Sequence, residues 1–299
     1  MRVLNGHALR VSDVAFAPDG RSLASCSVDG TVRVWDVATG TGGVLVQVAE
    51  RSEFEPRRAV RHGFDRLAFT GDGRYLVCRS ATDGMELWDV GARYRRAELI
   101  RRGPAEYGSE LAVTSRLIAA NVWRAEPFGS ELCLWDVSTL SAEVLFRTAD
   151  ADSFSGLAFD RSERFLATNA GVFDVTTGLR VLEVLLWGEV LRWSPDGTQI
   201  AGGSRGEGVQ VIDADTGDPA ASFPVPGDEL PRLEFSARGE HLAVAANSAV
   251  QIWDTVNWTR RHEFAWEAGR LTCLAFSPDG HVAAAGTARG SIVLWDWDV

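Results

Sequence analysis

Short runs of alternating apolar and polar residues fill the chain, and a turn signal closes each run. One kind of run ends in an aromatic residue before a tight turn, as in VAFAPDG at residues 14–20 and LAFSPDG at residues 274–280. Related copies begin at Leu67, Leu157, Leu191 and Leu233. Because proline presets φ and glycine accepts positive φ, each copy predicts a hairpin that joins two strands.

A second kind of run ends in Trp-Asp. The pair occurs at Trp35-Asp36, Trp88-Asp89, Trp135-Asp136, Trp253-Asp254 and Trp295-Asp296, with degenerate versions at Phe173-Asp174 and Ile212-Asp213. These seven markers recur every 38 to 53 residues, close to the roughly 40–45 residues of a repeat that makes four short strands. Each unit therefore reads as strand, hairpin, strand, turn, Trp-Asp strand, loop and strand, and the first two intervals contain insertions.

These co-phased signatures resemble the WD-repeat β-propeller family from Leu4 to Trp297. The resemblance implies an all-β fold, a seven-bladed β-propeller of four-stranded antiparallel blades, and we expect residues 1–299 to form one such domain. The chain starts with one strand-like piece and stops after a third strand, so residues Arg2 to Leu4 are expected to join the last blade and close the ring. The fourth blade, with degenerate markers around residues 171–175, is the candidate for distortion.

The composition and net charge of the chain argue against several classes of function. Apolar residues make up 45% of the chain and charged residues 24%, as in ordinary globular proteins. A net charge of −11 argues against binding to nucleic acid or to an anionic membrane, since both need a basic surface. No run approaches the roughly 18 apolar residues of a membrane span, and no export signal is visible at the amino terminus. We therefore expect a cytoplasmic protein whose four widely spaced cysteines are buried and reduced.

One set of polar residues contains the types of a catalytic triad. Its members are His7, Ser25, Asp29 and Trp35. Ser25 lies within a predicted strand and lacks the Gly-x-Ser-x-Gly turn that exposes a nucleophile. In WD-repeat proteins the matching positions form a buried hydrogen-bond chain from Trp to Ser to His to Asp, so the resemblance implies a structural tetrad. Only the first repeat keeps all four members, since Cys78 replaces the serine in the second, and Ala285 and Arg289 replace the serine and aspartate in the seventh.

The remaining histidines, at 62, 241, 262 and 281, lie in different repeats without the spacing of a zinc site. We therefore predict no catalytic residue, no metal and no cofactor. One alternative stays open, a propeller that binds a small ligand or acts as an enzyme in its central channel. Asp13, Asp65 and Glu189 are its candidate carboxylates, although such residues more often satisfy backbone amides at the channel rim.

Two insertions, Glu50 to Gly63 and Asn121 to Glu131, interrupt the repeat and are expected to emerge on the same face of the propeller. Arginine and aromatic residues dominate protein–protein contacts. The predicted partner-binding residues are Phe54, Arg57, Arg58 and Arg61 in the first insertion and Trp123, Arg124 and Phe128 in the second. The competing interpretation is that the aromatic residues fold back over the blade edge and the arginines are only solvated.

Charge is distributed unevenly along the chain. Residues 51–102 contain 12 arginines against eight acidic residues, whereas the rest contains 18 against 33. This asymmetry predicts a basic docking patch on an acidic disk, which would attract an acidic protein or peptide. We therefore predict a non-catalytic, monomeric protein–protein interaction scaffold or adaptor that binds neither nucleic acid nor membrane. The repeat itself does not specify the partner or the pathway.

Overall fold

The computed structural model describes residues 1–47, 63–80, 84–101, 107–125, 128–148, 154–183 and 188–297. For residues 101, 107–110, 123–125, 128–129 and 148 the description covers the backbone alone. Within these ranges, 28 strands form seven four-stranded antiparallel sheets. The described part of the chain contains no helix with the length and hydropathy of a membrane span.

The first four sheets, blades 1 to 4, follow one another along the chain. Blade 1 consists of β2 (Val11–Phe16), β3 (Ser22–Ser27), β4 (Thr31–Asp36) and β5 (Gly42–Gln47). Blade 2 consists of β6 (Phe64–Phe69), β7 (Tyr75–Ser80), β8 (Gly84–Asp89) and β9 (Tyr94–Arg101). Blade 3 consists of β10 (Tyr107–Val113), β11 (Leu117–Ala125), β12 (Phe128–Asp136) and β13 (Ala142–Thr148). Blade 4 consists of β14 (Leu157–Phe159), β15 (Phe165–Thr168), β16 (Gly171–Asp174) and β17 (Leu179–Leu182).

The remaining sheets complete the ring. Blade 5 consists of β18 (Val190–Trp193), β19 (Gln199–Ser204), β20 (Gly208–Asp213) and β21 (Pro219–Phe223). Blade 6 consists of β22 (Arg232–Phe235), β23 (His241–Ala246), β24 (Ala249–Asp254) and β25 (Arg260–Ala265). Blade 7 consists of β26 (Leu271–Phe276), β27 (Val282–Thr287), β28 (Ser291–Asp296) and, as its outer strand, β1 (Arg2–Asn5).

The first strand of the chain closes the ring, as predicted. β1 pairs antiparallel with β28, Leu4 lies opposite Ile292, and the Ser291 hydroxyl donates to Asn5 Oδ1 at 2.9 Å. The inner strands of consecutive blades lie side by side all the way round, and β2 of blade 1 contacts β26 of blade 7. The predicted seven-bladed propeller with four-stranded antiparallel blades is therefore confirmed.

The hydrophobic core is divided among the interfaces between blades. Each of seven buried clusters contains residues from two neighbouring blades. Burial falls from the middle of a blade to its rim: five of the six residues of β3 are buried, whereas five of the six residues of β25 are exposed. Because both faces of a middle strand pack against neighbouring blades, such strands are apolar nearly throughout.

Antiparallel order places the connections on two faces. The face that carries residues 17–21 and 37–41 of blade 1, and their counterparts in other blades, is here called the turn face. The opposite face carries residues 28–30 of blade 1 and the connections between blades, and is called the insertion face. On the turn face, Gly73 has φ +69° and a Cβ added there would lie 3.2 Å from Pro18 of the preceding turn. The turn of blade 2 thus favours glycine both for its conformation and for its contact with the turn of blade 1.

Blade 4 is short but regular. Phe173 lies opposite Leu166 in the register that places Trp35 opposite Leu23 in blade 1. The phenyl ring of Phe173 is fully buried and packs 5.2 Å, centroid to centroid, from Phe146 of blade 3. A phenylalanine therefore fills the space of the missing tryptophan, and the blade keeps all four strands.

Candidate functional site

The predicted tetrad comes together in blade 1, with Ser25 on β3, Trp35 on β4, Asp29 in the turn between them and His7 in the segment before β2. Trp35 Nε1 donates to Ser25 Oγ at 2.8 Å, and Ser25 Oγ lies 2.7 Å from His7 Nε2. His7 Nδ1 lies 3.2 Å from Asp29 Oδ2. Asp29 also accepts the Ala8 backbone N–H at 2.8 Å and the Thr31 hydroxyl at 2.7 Å. These bonds join two strands of blade 1 to the segment that leaves the closing strand.

The direction of these bonds follows from the donors available. An ionised Asp29 carboxylate can only accept, so the ring hydrogen of a neutral His7 lies on Nδ1 and points to Asp29 and to Thr31 Oγ1, which is 2.9 Å away. His7 Nε2 then accepts the hydroxyl hydrogen of Ser25, whose oxygen accepts the indole N–H of Trp35. Ser25 is fully buried, so in this arrangement its oxygen is placed to hold strands together rather than to meet a substrate.

Burial decides the ionisation of the tetrad. Desolvation lowers the pKa of His7 and outweighs the raising effect of the Asp29 carboxylate. Desolvation would raise the pKa of Asp29, but hydrogen bonds from Thr31 and Ala8 lower it below its usual range. The site therefore favours a neutral imidazole beside an ionised carboxylate.

The structure places the backbone of three predicted partner-binding residues at the insertion face. Phe54, Arg57, Arg58 and Arg61 lie outside the described residues, and the flanking residues Gln47 and Gly63 lie at this face. Trp123, Arg124 and Phe128 lie on the β11–β12 hairpin of blade 3, where Trp123 pairs with Ser130 and Arg124 with Gly129. The backbone thus brings the second group onto one hairpin, next to the blade that follows the first insertion.

The interpretation of residues 121–131 as a loop between strands is corrected by the structure. β11 and β12 are nine residues long, against six for β3 and β4, and they pair continuously from Leu117 opposite Asp136 to Ala125 opposite Phe128. Three further residues per strand add about 10 Å at the usual rise per residue. The extra residues therefore lengthen blade 3 toward the insertion face.

Buried polar groups brace the base of this hairpin. Ser130 Oγ donates to Asn121 Oδ1 at 2.5 Å, and Asn121 Nδ2 donates to the Phe154 carbonyl at 3.2 Å, just before β14 of blade 4. Glu131, whose side chain is buried, pairs with Arg147 on β13 at 3.0 Å. Buried polar groups bonded in this way restrict motion, so the hairpin is anchored to its own outer strand and to the next blade.

The central channel is the second candidate site. It encloses a cavity of about 420 Å³ lined by the inner strands, and Asp13 lies in its wall. Asp13 accepts backbone N–H groups from Val14 at 3.0 Å and from Leu67 at 3.2 Å. Asp65 instead pairs with Arg79 beside it on blade 2, and neither Asp65 nor Glu189 belongs to the channel lining. Of the three candidate carboxylates, only Asp13 faces the channel.

Sequence reasoning missed the arginines of the channel. Arg66, Arg192 and Arg232 line it, and Arg192 pairs with Glu234 at 2.8 Å. Their positions could have been recognised in the sequence, since each arginine lies one or three residues before the aromatic residue that ends an inner strand. Among the described residues, no three histidine, cysteine, aspartate or glutamate side chains come together as metal ligands.

Comparison with known proteins agrees with the fold. The family described as "WD domain, G-beta repeat" matches residues 1–36 and 258–296, the two parts of the chain that meet at the ring closure. The resemblance to the WD-repeat β-propellers is confirmed. Transducin beta-like protein 2 of Homo sapiens is 26% identical over 207 residues, 67% of this chain and 46% of that protein. The guanine nucleotide-binding protein subunit beta of Solanum tuberosum is 21% identical over 327 aligned positions, 98% of this chain and 82% of that protein.

The repeats of this chain keep their polar bonds unequally. In blade 1, Ser25 lies two residues after the residue that pairs with the tryptophan. The same count gives Val244 in blade 6, where Leu242 pairs with Trp253, and Ala285 in blade 7, where Ala283 pairs with Trp295. In the described structure the buried indole N–H groups of Trp253 and Trp295 have no hydrogen-bond partner. These repeats therefore depend on packing where the first repeat has a hydrogen-bond chain.

Restoring the serine in the seventh repeat is expected to stabilise the protein. Ala285 of blade 7 has the same register position as Ser25 of blade 1, whose hydroxyl accepts the tryptophan N–H. Ala285→Ser therefore gives Trp295 Nε1 a hydrogen-bond acceptor. The expected gain in the free energy of unfolding is about 1 kcal/mol, measured by denaturant titration. Ala284→Ser is the matched control, because Ala284 faces the other cluster, and there a hydroxyl should destabilise. Equal effects of the two changes would contradict this prediction.

Proposed function

We propose that this chain is a non-catalytic interaction scaffold that binds a protein or peptide on its insertion face. The observation that carries the proposal is the braced hairpin of blade 3, which extends beyond the other blades while polar bonds fix its base. Functional contacts usually lie on segments that a rigid scaffold positions, and a preorganised hairpin loses little entropy on binding. The ring supplies the scaffold and blade 3 presents the contact surface.

The names of the relatives support an assembly role. The potato, maize and rice relatives are each named as a subunit of a guanine nucleotide-binding protein. A subunit is by name a component of a larger assembly, and the potato protein matches this chain over 98% of its length. We extend to this chain only the general role of holding another protein, in the cytoplasm and as a single propeller.

Charge supports an acidic partner. Residues 51–102 carry 12 arginines against eight acidic residues in a chain of net charge −11. Arg66 lines the channel and Arg79 pairs with Asp65, so the arginines available for a docking patch include those of the first insertion, Arg51, Arg57, Arg58 and Arg61. A basic patch on an acidic protein steers an acidic surface to one place and repels it elsewhere. We therefore propose an acidic segment as the partner, with Arg57, Arg58 and the hairpin residue Trp123 among the contacts.

An affinity pull-down from native lysate tests whether the insertion face binds the partner. The variant that combines Arg57→Glu, Arg58→Glu and Trp123→Ala should lose a protein that the unmodified chain retains, because it reverses two charges and removes one aromatic anchor. Retention should also weaken as salt is raised, since charge attraction is screened.

The matched control combines Arg21→Glu, Arg238→Glu and Val256→Ala. These three residues are exposed on the turn face, so this variant keeps the net-charge change while leaving the insertion face intact. Circular dichroism must show both variants folded. Loss of the same protein from both variants, or from neither, would contradict the proposed face.

A further inference from the structure

Small residues form most of the channel wall at the level nearer the turn face. At one level of the inner strands, five blades place an alanine in the channel lining: Ala15, Ala68, Ala112, Ala158 and Ala275. The other two blades place Arg192 and Glu234 there, and these side chains form the 2.8 Å ion pair. The cavity of about 420 Å³ falls in the range of small-molecule sites, roughly 300–1,000 Å³. At this level the channel therefore has an apolar wall on blades 7 and 1 to 4 and an ion pair on blades 5 and 6.

Positive charge predominates among the described side chains of this cavity. Arg66, Arg192 and Arg232 come from three different blades, and the two described carboxylates are Asp13 and Glu234. Burial raises the pKa of Asp13, whereas the charges of Arg66, Arg192 and Arg232 act to lower it. Its two oxygens also accept the Val14 and Leu67 N–H groups, which fix its orientation.

A buried hydroxyl without a partner lies in the same lining. Ser12 is 4% exposed, it lines the channel, and its Oγ has no hydrogen-bond partner in the described structure. A buried polar atom left without a bond costs free energy, so a ligand that bonds to it gains that amount on binding. Ser12 precedes Asp13 at an irregularity in the pairing of β2 with β3, which places the two polar side chains next to each other.

The cavity can be reached from the turn face. A groove of about 340 Å³ there shares Phe159, Trp193, Glu234 and Phe276 with the channel lining. The aromatic rings of Phe159, Trp193 and Phe276 are only half-buried, whereas their counterparts Phe16, Phe69 and Phe235 are buried. Three blades thus leave aromatic side chains at the channel mouth.

We propose that the central channel binds a small molecule with an oxyanion group, a carboxylate or a phosphate, held by Arg66, Arg232 and the Ser12 hydroxyl. Guanidinium groups bind both kinds of oxyanion through charge-assisted hydrogen bonds. The alanine wall accommodates the apolar part of the molecule, and the Arg192–Glu234 pair lies opposite that wall. This site is separate from the insertion face and does not depend on the proposed scaffold function.

Calorimetry and thermal unfolding with two probes test the site. Inorganic phosphate and succinate are titrated separately into the full chain at constant ionic strength, with sodium chloride as the balancing salt. A saturable rise in Tm with at least one probe is expected, since a ligand that binds only the folded state stabilises it. The probe that binds more tightly identifies phosphate or carboxylate as the preferred group. No saturable binding of either probe would overturn the proposal.

Four variants test whether the probes bind in the central channel. Ser12→Ala should leave Tm without ligand unchanged or higher, because it removes an unsatisfied polar atom, and should weaken probe binding several-fold. Arg232→Leu should weaken it at least about tenfold, as expected for one lost charged hydrogen bond. Glu234→Gln should strengthen it by removing a competing carboxylate from Arg192. Arg21→Leu, an exposed arginine on the turn face, should leave it unchanged.

Ser12→Ala decides the outcome if Arg232→Leu fails to fold. Unchanged affinity in Ser12→Ala would overturn the assignment of the channel. The same conclusion follows if Arg21→Leu weakens binding as much as Arg232→Leu, because the probe would then respond to net charge alone.

Discussion

Replacing Leu4 with alanine should lower the free energy of unfolding by about 2–5 kcal/mol, the usual range for a leucine removed from a packed core. Leu4 is 3% exposed and belongs to the cluster between blades 7 and 1, with Ile292, Leu294 and Trp35. It is the buried residue of the strand that closes the ring, so the cavity would lie at the closure itself. Urea titration followed by tryptophan fluorescence measures the change.

The control is the neighbouring residue on the opposite face of the same strand. Val3 is 44% exposed, and Val3→Ala should change stability by no more than about 0.5 kcal/mol. If Leu4→Ala and Val3→Ala both lowered the free energy of unfolding by a similar small amount, β1 would not pack against blade 1 in solution.

Replacing His7 with alanine should lower the free energy of unfolding by roughly 1–3 kcal/mol. The change leaves the Ser25 hydroxyl and the Asp29 carboxylate without their shared partner inside blade 1. Trp35 would still donate to Ser25, so the loss should not extend to the whole tetrad. Thermal and denaturant unfolding at neutral pH measure the difference.

The cost of this substitution should depend on pH. Because burial lowers the pKa of His7 in the folded state, the unfolded chain binds the proton more readily. Neutral His7 therefore makes its full contribution to the free energy of unfolding at pH values above about 6.5, the ordinary pKa of histidine. That contribution is lost as the pH falls below this value. The difference in stability between the unmodified chain and His7→Ala should shrink from about pH 7.5 to about pH 5.5.

His262 supplies the comparison. It is exposed on β25, so His262→Ala should have a small effect of the same size at both pH values. A His7→Ala cost that grows on acidification would mean that the protonated imidazole is the stabilising form, with its ion pair to Asp29 outweighing burial.

The repeat markers predicted the blades because they report on packing between them. A Trp-Asp strand places its aromatic ring opposite the second strand of the blade, as Trp35 lies opposite Leu23. Phe173 takes the same position with a different ring, so the degenerate marker still located the blade. The sequence could not establish that blade 4 is regular, because that depends on how well Phe173 fills the space beside Phe146 of the preceding blade.

The hairpin and the channel were harder to predict for different reasons. Residues 121–131 contain Asn121, Pro127 and Gly129, which favour a loop, but pairing across β11 and β12 outweighs those local preferences. The channel combines side chains from separate blades, such as Arg66 and Arg232, which only ring closure brings together. Counting back from the aromatic residue that ends most inner strands would have located both arginines and four of the five channel alanines, but not Ala112, because its strand ends in Val113.

The pairing of β1 with β28 also affects the order in which the chain folds. The bond between Ser291 and Asn5 spans 286 positions, and contacts so distant in sequence form late because the intervening chain must first be ordered. On the ribosome, where synthesis proceeds at roughly 5–20 residues per second, blades can assemble one after another as they emerge. β1 emerges long before its partner β28, so Leu4 lacks its packing partners Ile292 and Leu294 until β28 has been made.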